Sequence, residues 1–274
     1  MNLKTNKENN AHFSIDYYFN ISFSVADKKA EVEFAVDQIK RHYQNYIGFK
    51  NKKNLADFLL EEIYGINITA LSSGDKLKRS EVNGIIKEII SECRRISKNK
   101  SKLAIHIFPS YNKFINTQMS GVSGYTSNSR NVLIFISPQK DLQTALENTL
   151  AHEFAHTIAF KYHKWQSLLD CLIFEGLADN FRESVMGGKP APWSIALSQT
   201  NARKTFIKLK KFLNSKNENL YSQVFLGYSN KYPLWSGYAI GYQIMKSYFK
   251  HNKNKSWQEV FRLRPWEILK QSKY

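Results

Sequence analysis

Apolar residues recur at three- to four-residue intervals along much of this chain, and that rhythm predicts a largely helical protein. Residues 28–49 carry Val32, Phe34, Ala35, Ile39, Tyr43 and Ile47 at this spacing, which predicts a first helix. A second is expected over 55–64, closed by Gly65, and a third over about 80–96, with Val82, Ile85, Ile86, Ile89 and Ile90 on one stripe. Two short runs break the rhythm. Residues 103–108, stopped by Pro109, and 132–136, after the turn-rich stretch 127–131, have the apolar and β-branched enrichment of strands. A further short strand is expected near 18–25. The second half is helical again. A helix starting at Ser137-Pro138 buries Leu142, Ala145, Leu146, Leu150, Phe154 and Ile158, and others are expected from about 166 to 187, over 200–213 and over 236–249. The pattern predicts an α+β chain, mostly helical, with a small mixed sheet. The charged stretch 97–102 is the best boundary, dividing a mainly helical region 1–100 from a core at 101–200 and a helical subdomain at 201–274.

The chemistry is concentrated in His152-Glu153-Phe154-Ala155-His156. On a helix, positions i and i+4 share a face, so both imidazoles can reach one metal ion while the Glu153 carboxylate stays free. Glu175 follows in an apolar helical run, with eighteen residues between it and His156. Unpaired carboxylates are costly to bury, so Glu175 is expected to be a third ligand to zinc, an arrangement that leaves the fourth position open to water. Glu153 is then the general base, and later the general acid toward the leaving amine. Asp179, one turn beyond Glu175, is placed to accept the outer N–H of a ligating histidine. Sequence does not exclude another divalent metal at such a site.

His-Glu-x-x-His followed by Glu-x-x-x-Asp resembles the gluzincin branch of zinc metallopeptidases, and is most similar there to the bacterial YjaZ-type predicted Zn-dependent proteases. Three stretches carry the likeness, 121–125 with the strand after it, 149–156 and 237–244, and it spans roughly 100–250. It implies a zincin-like fold with the sheet beside the active-site helix, residues 201–274 completing the cleft, one zinc per chain and a peptide or protein substrate. It also implies that the strand at 132–136 offers an edge to an extended peptide. Tyr238 and Tyr242, one turn apart, are similar in placement to the oxyanion tyrosine of gluzincin aminopeptidases. A donor is needed there because charge develops on that oxygen only in the transition state. A Gly-x-Met-Glu-Asn segment that would bind a substrate amino terminus is missing upstream, which favours an endopeptidase.

Composition changes this picture little. Forty-two per cent hydrophobic and fourteen per cent aromatic residues mark an ordered globular protein. The start of the chain has no secretory pattern, no apolar run is long enough to span a membrane, and Cys93 and Cys171 read as buried free thiols, so a cytoplasmic location is expected. The remaining histidines, at 12, 42, 106, 163 and 251, lack metal spacing and read as surface or packing residues. The net charge of +17, with basic clusters at 76–79, 94–102, 204–211 and 250–255, predicts non-specific attraction to polyanions. No nucleic-acid-binding motif accompanies them. The alternative reading is a non-catalytic or nucleic-acid-associated basic protein with a zinc site; the intact Glu153 argues against the non-catalytic form, and a steep salt dependence of DNA or RNA binding would mark the other.

Overall fold

The computed structural model describes residues 6–9, 13–18, 28–66, 78–137 and 142–274. It is an α+β fold, mostly helical, with one small mixed sheet. By packing the chain divides into two units, residues 1–94 with 99–157, and residues 95–98 with 158–274.

The first unit holds the sheet. Its strands are β1 (Asn6–Asn9), β2 (Phe13–Tyr17), β3 (Leu103–Pro109), β4 (Val122–Asn128) and β5 (Asn131–Ile136), in the spatial order β1-β2-β3-β5-β4. β2, β3 and β5 run parallel, and β1 and β4 are antiparallel to their neighbours. β3 and β5 are buried along their whole length, as parallel strands covered on both faces are, and for that reason they read as continuous apolar runs. β5 pairs with β3 on one side and β4 on the other. The expectation of a free edge at 132–136 is therefore overturned: among the described strands the edge on this side belongs to β4. The β4–β5 hairpin is closed by Asn128, whose side-chain oxygen accepts from the backbone N–H of Arg130 (2.9 Å) and Asn131 (3.1 Å), and from the Asn131 amide (3.0 Å).

One face of this sheet is covered by α1 (Lys28–Tyr43) and α2 (Lys52–Tyr64). Val36 and Ile39 of α1 and Leu55, Leu59 and Ile63 of α2 pack with Phe108, Leu133 and Phe135. The first helix stops six residues before the sequence pattern does. Gln44 is left-handed (φ 54°), and the Asn45 side chain accepts from the Ile47 N–H at 2.6 Å, so Ile47 is fully buried from a turn rather than from a helix. The unit also contains most of α3 (Arg79–Ser97), α4 (Lys113–Gln118) and the first part of α5 (Leu142–Ala159). β2 lies earlier than the strand expected near 18–25, of which 19–25 lies outside the described residues; so does Pro138, proposed as a helix start.

The second unit is helical: α6 (Leu168–Met186), a 3-10 turn Trp193–Ile195, α7 (Gln199–Leu209) continued by a 3-10 turn Lys210–Phe212, α8 (Glu218–Phe225), α9 (Ser236–His251), α10 (Trp257–Val260) and α11 (Pro265–Ser272). α6 begins with a capping box in which Ser167 and Asp170 satisfy each other's backbone N–H groups, and it ends at Gly187 with φ 65°. Its middle crosses α9 through two glycines. A Cβ on Gly176 would lie 2.2 Å from the Gly241 carbonyl oxygen, and one on Gly241 would lie 2.0 Å from that of Leu172. The two backbones touch, and no other residue type fits either position unchanged. No described helix is long and apolar enough to cross a membrane.

Candidate metal centre

From Ala151 to Ala159 every residue of α5 is buried, polar ones included. His152, Glu153 and His156 are 7, 6 and 4% exposed, an environment in which such side chains persist only with partners or a ligand. Their i, i+4 spacing turns the two imidazoles toward each other, with His152 Nε2 and His156 Nε2 3.1 Å apart and the rings at 85°. Two nitrogens bound to one tetrahedral zinc at the usual bond length stand about 3.3 Å apart, so this pair is already spaced for a shared ion. Among the described residues one group of three potential ligands is close enough to hold a metal, namely His152, His156 and Glu175. All three are buried, and one donor atom from each lies within 4.8 Å of the others. Two imidazoles and a carboxylate are a donor set that suits zinc.

Glu153 is held from β4. The Thr126 hydroxyl lies 2.7 Å from its Oε2 and 2.9 Å from its backbone oxygen, and donates its one proton between them. Two residues earlier on the same face of the strand, Gly124 lets β4 press against α5. A Cβ there would meet Glu153 Cγ at 2.5 Å and Thr149 Cγ2 at 2.9 Å. Motif spacing contains no sign of either residue, because both contacts depend on how β4 packs on α5. The sequence signal for Gly124 was its place in the stretch 121–125 that carries the family likeness, and a glycine within a strand marks a close backbone approach.

The other face of β4 meets a second carboxylate that sequence reasoning also missed. The Ser123 hydroxyl donates to Glu62 Oε2 of α2 at 3.0 Å. Burial, with the negative charges of Glu61 and Glu153 adding to it, pushes the Glu62 carboxyl up to about 7 from 4.5, against the opposing pull of Ser123. Beside it Tyr125 packs on Phe58 and Phe49, and its phenol is pushed up by burial and then by Glu153. Since the folded protein holds the Glu62 proton more tightly than the unfolded chain does, the resulting stabilisation is complete below about pH 4.5 and is lost as pH rises through about 7. Glu62→Gln, which stays neutral, should remove that slope. Chemical denaturation near pH 5 and pH 8 should show wild type losing on the order of 2 kcal/mol more than the variant between the two. Parallel losses would show that Glu62 is ionised in the fold.

On α6, Glu175 is 4% exposed, and Asp179, one turn on, is fully buried. The Asp179 oxygens accept from Trp193 Nε1 at 3.0 Å and Ser194 Oγ at 2.7 Å, tying α6 to the 3-10 turn. Tyr242 donates its hydroxyl to Glu183 Oε2 at 2.9 Å, and Lys246 pairs with the same carboxylate at 3.2 Å. Burial and then Glu183 push the Tyr242 phenol upward. Tyr238 is half-buried and meets the Phe225 ring edge-on at 5.3 Å. His106 and His163 are packing residues. The first, fully buried on β3, bonds Tyr18 and Asn131, and the second meets the Phe261 carbonyl at 2.7 Å. Both cysteines are free thiols, Cys93 buried and Cys171 half-buried.

An α+β fold with a buried His-His-Glu group able to hold a metal defines a candidate metalloprotein with a hydrolase-like donor set. The family described as "Predicted Zn-dependent protease (DUF2268)" matches residues 82–270, and the chain belongs to it. A curated relative, the uncharacterized protein YjfC of Bacillus subtilis (strain 168), is 23% identical over 213 residues, covering 68% of this chain and 70% of its own length. Among solved structures, a predicted lipoprotein from Colwellia psychrerythraea is similar with a TM-score of 0.37 and 12% identity. That likeness covers 90% of this chain, which spans half the length of that one.

Proposed function

We propose that this protein is a zinc-dependent peptidase that cleaves peptide bonds with water, using Glu153 as general base. The observation that carries the reading is the buried group of His152, His156 and Glu175, with its three donor atoms within 4.8 Å of one another. A zinc ion held there would supply Lewis acidity toward the scissile carbonyl and lower the pKa of a water molecule toward about 7. Glu153, free of the ligand set, takes the proton from the attacking water and returns it to the leaving amine as the C–N bond breaks. Thr126 holds that carboxylate in one orientation, and Gly124 keeps the strand close enough for it to do so. Asp179 supports the ligand helix through Trp193 and Ser194, and we retain it as the carboxylate that orients a ligating histidine.

An extended peptide would pair with β4, which among the described strands holds the open edge on this side of the sheet, and this suits cleavage inside a chain. Of the two tyrosines proposed to stabilise the oxyanion, Tyr238 is the better candidate. The hydroxyl of Tyr242 is engaged by Glu183, about 12 Å along α6 from Glu175 at 1.5 Å per residue. The free thiols fit a reducing cytoplasm. Hydrolysis of an internally quenched peptide library tests the reading. Activity should disappear with a chelator and return with zinc, and a zinc-loaded protein that cleaves nothing in the library would count against it.

A further inference from the structure

From Ser184 to Asn217 the chain has no aspartate or glutamate, yet it carries Lys189, Arg203, Lys204, Lys208, Lys210, Lys211 and Lys216. α7 and the 3-10 turn after it arrange part of that charge. α7 buries Ala202, Phe206 and Leu209, which turns Lys204, Ile207 and Lys208 outward. In the 3-10 turn side chains three apart eclipse, so Lys211 continues the row begun by Lys204 and Lys208. All three lysines are exposed, and Ile207 stands among them 56% exposed.

Among the described residues, no carboxylate neutralises these ammonium groups. Lys52, Lys53, Lys246 and Lys255 each pair with a carboxylate, whereas no described residue forms an ion pair with Lys204, Lys208 or Lys211. We propose that the outer face of α7, with Lys204, Ile207, Lys208 and Lys211, docks on an anionic lipid surface. Two features favour lipid over nucleic acid. An exposed isoleucine inside a lysine row adds nothing to phosphate contacts along a duplex, but it can sink below headgroups while the flanking lysines stay among the phosphates. In addition, the row is made of lysines, which act as compact point charges. Arg203, the neighbouring residue able to fork onto a phosphate, is stacked over the Tyr274 ring at 4.9 Å. This role is independent of the peptidase reading.

Sedimentation of the full-length protein with phosphatidylcholine vesicles, with and without phosphatidylserine, at physiological ionic strength tests it. Wild type should bind the anionic vesicles and not the neutral ones. The triple variant Lys204→Glu, Lys208→Glu, Lys211→Glu should bind roughly 100-fold more weakly or worse, at about 1 kcal/mol for each lysine near an anionic surface. Ile207→Ser should weaken vesicle binding several-fold, roughly the effect of losing one inserted aliphatic side chain, while leaving duplex DNA binding unchanged. A control with the same charge change elsewhere, Lys164→Glu, Lys250→Glu, Lys253→Glu, should keep most of the binding. Circular dichroism melts confirm that each variant is folded. The proposal is overturned if the control loses as much binding as the α7 triple, since net charge alone would then explain it. It is equally overturned if Ile207→Ser has no effect while duplex DNA competes the protein off the vesicles, which would assign the face to nucleic acid.

Discussion

Glu153→Gln should lower kcat/KM for peptide hydrolysis by roughly 10²- to 10⁴-fold, the usual contribution of a positioned general base, and leave the zinc content unchanged. The amide has the shape of the carboxylate and can still accept from Thr126, so packing between β4 and α5 should persist. What it loses is the ability to take a proton from water. The expected signature is a fall in kcat with little change in KM, because an interaction made only on the way to the transition state has been removed. Full activity in a zinc-loaded Glu153→Gln protein would move the base elsewhere. Glu62, across β4 and already close to neutral pH in its ionisation, would be the first residue to test in its place.

Gly241→Ala should destabilise the second unit by about 2–3 kcal/mol, or roughly 5–10 °C in melting temperature. Ordinarily, alanine in a helix interior gains about 1 kcal/mol over glycine. Here the added methyl carbon would sit 2.0 Å from the Leu172 carbonyl oxygen, and a backbone atom cannot rotate away as a side chain could. α9 must therefore retreat from α6 at the turn that precedes Glu175. Zinc affinity should fall along with stability, although Gly241 is not itself a ligand. Thermal melts and a competitive zinc titration on the same preparations would check both effects. A stabilised or unaltered protein would mean that the two helices can separate without cost.

The sequence pattern was most informative where one physical constraint dominates. α5 and α6 were legible because two histidines one turn apart and a carboxylate in an apolar run are rare combinations without a ligand, and the structure buries all three residues. β3 and β5 were legible because strands covered on both faces must be continuously apolar. β4 was not read as a strand. Its sequence, Val-Ser-Gly-Tyr-Thr-Ser-Asn, is poor in strand formers, and what holds it is pairing with β5 together with contacts to Glu62 and Glu153 far away in the chain. That omission is also why the open edge was assigned to 132–136. Helix α1 was overextended because Ile47 is buried at helical spacing although the chain has already turned at Gln44. Family membership, shown by the match over 82–270, agrees with the resemblance carried by the motif residues.

The central claim is that His152, His156 and Glu175 hold one metal ion, and metal content tests it most directly. Mass spectrometry of the purified protein should find about one zinc per chain in wild type and in Glu153→Gln, and almost none in His152→Ala or Glu175→Ala. Folded wild-type protein that contains no metal and takes up none when zinc is added would contradict the account.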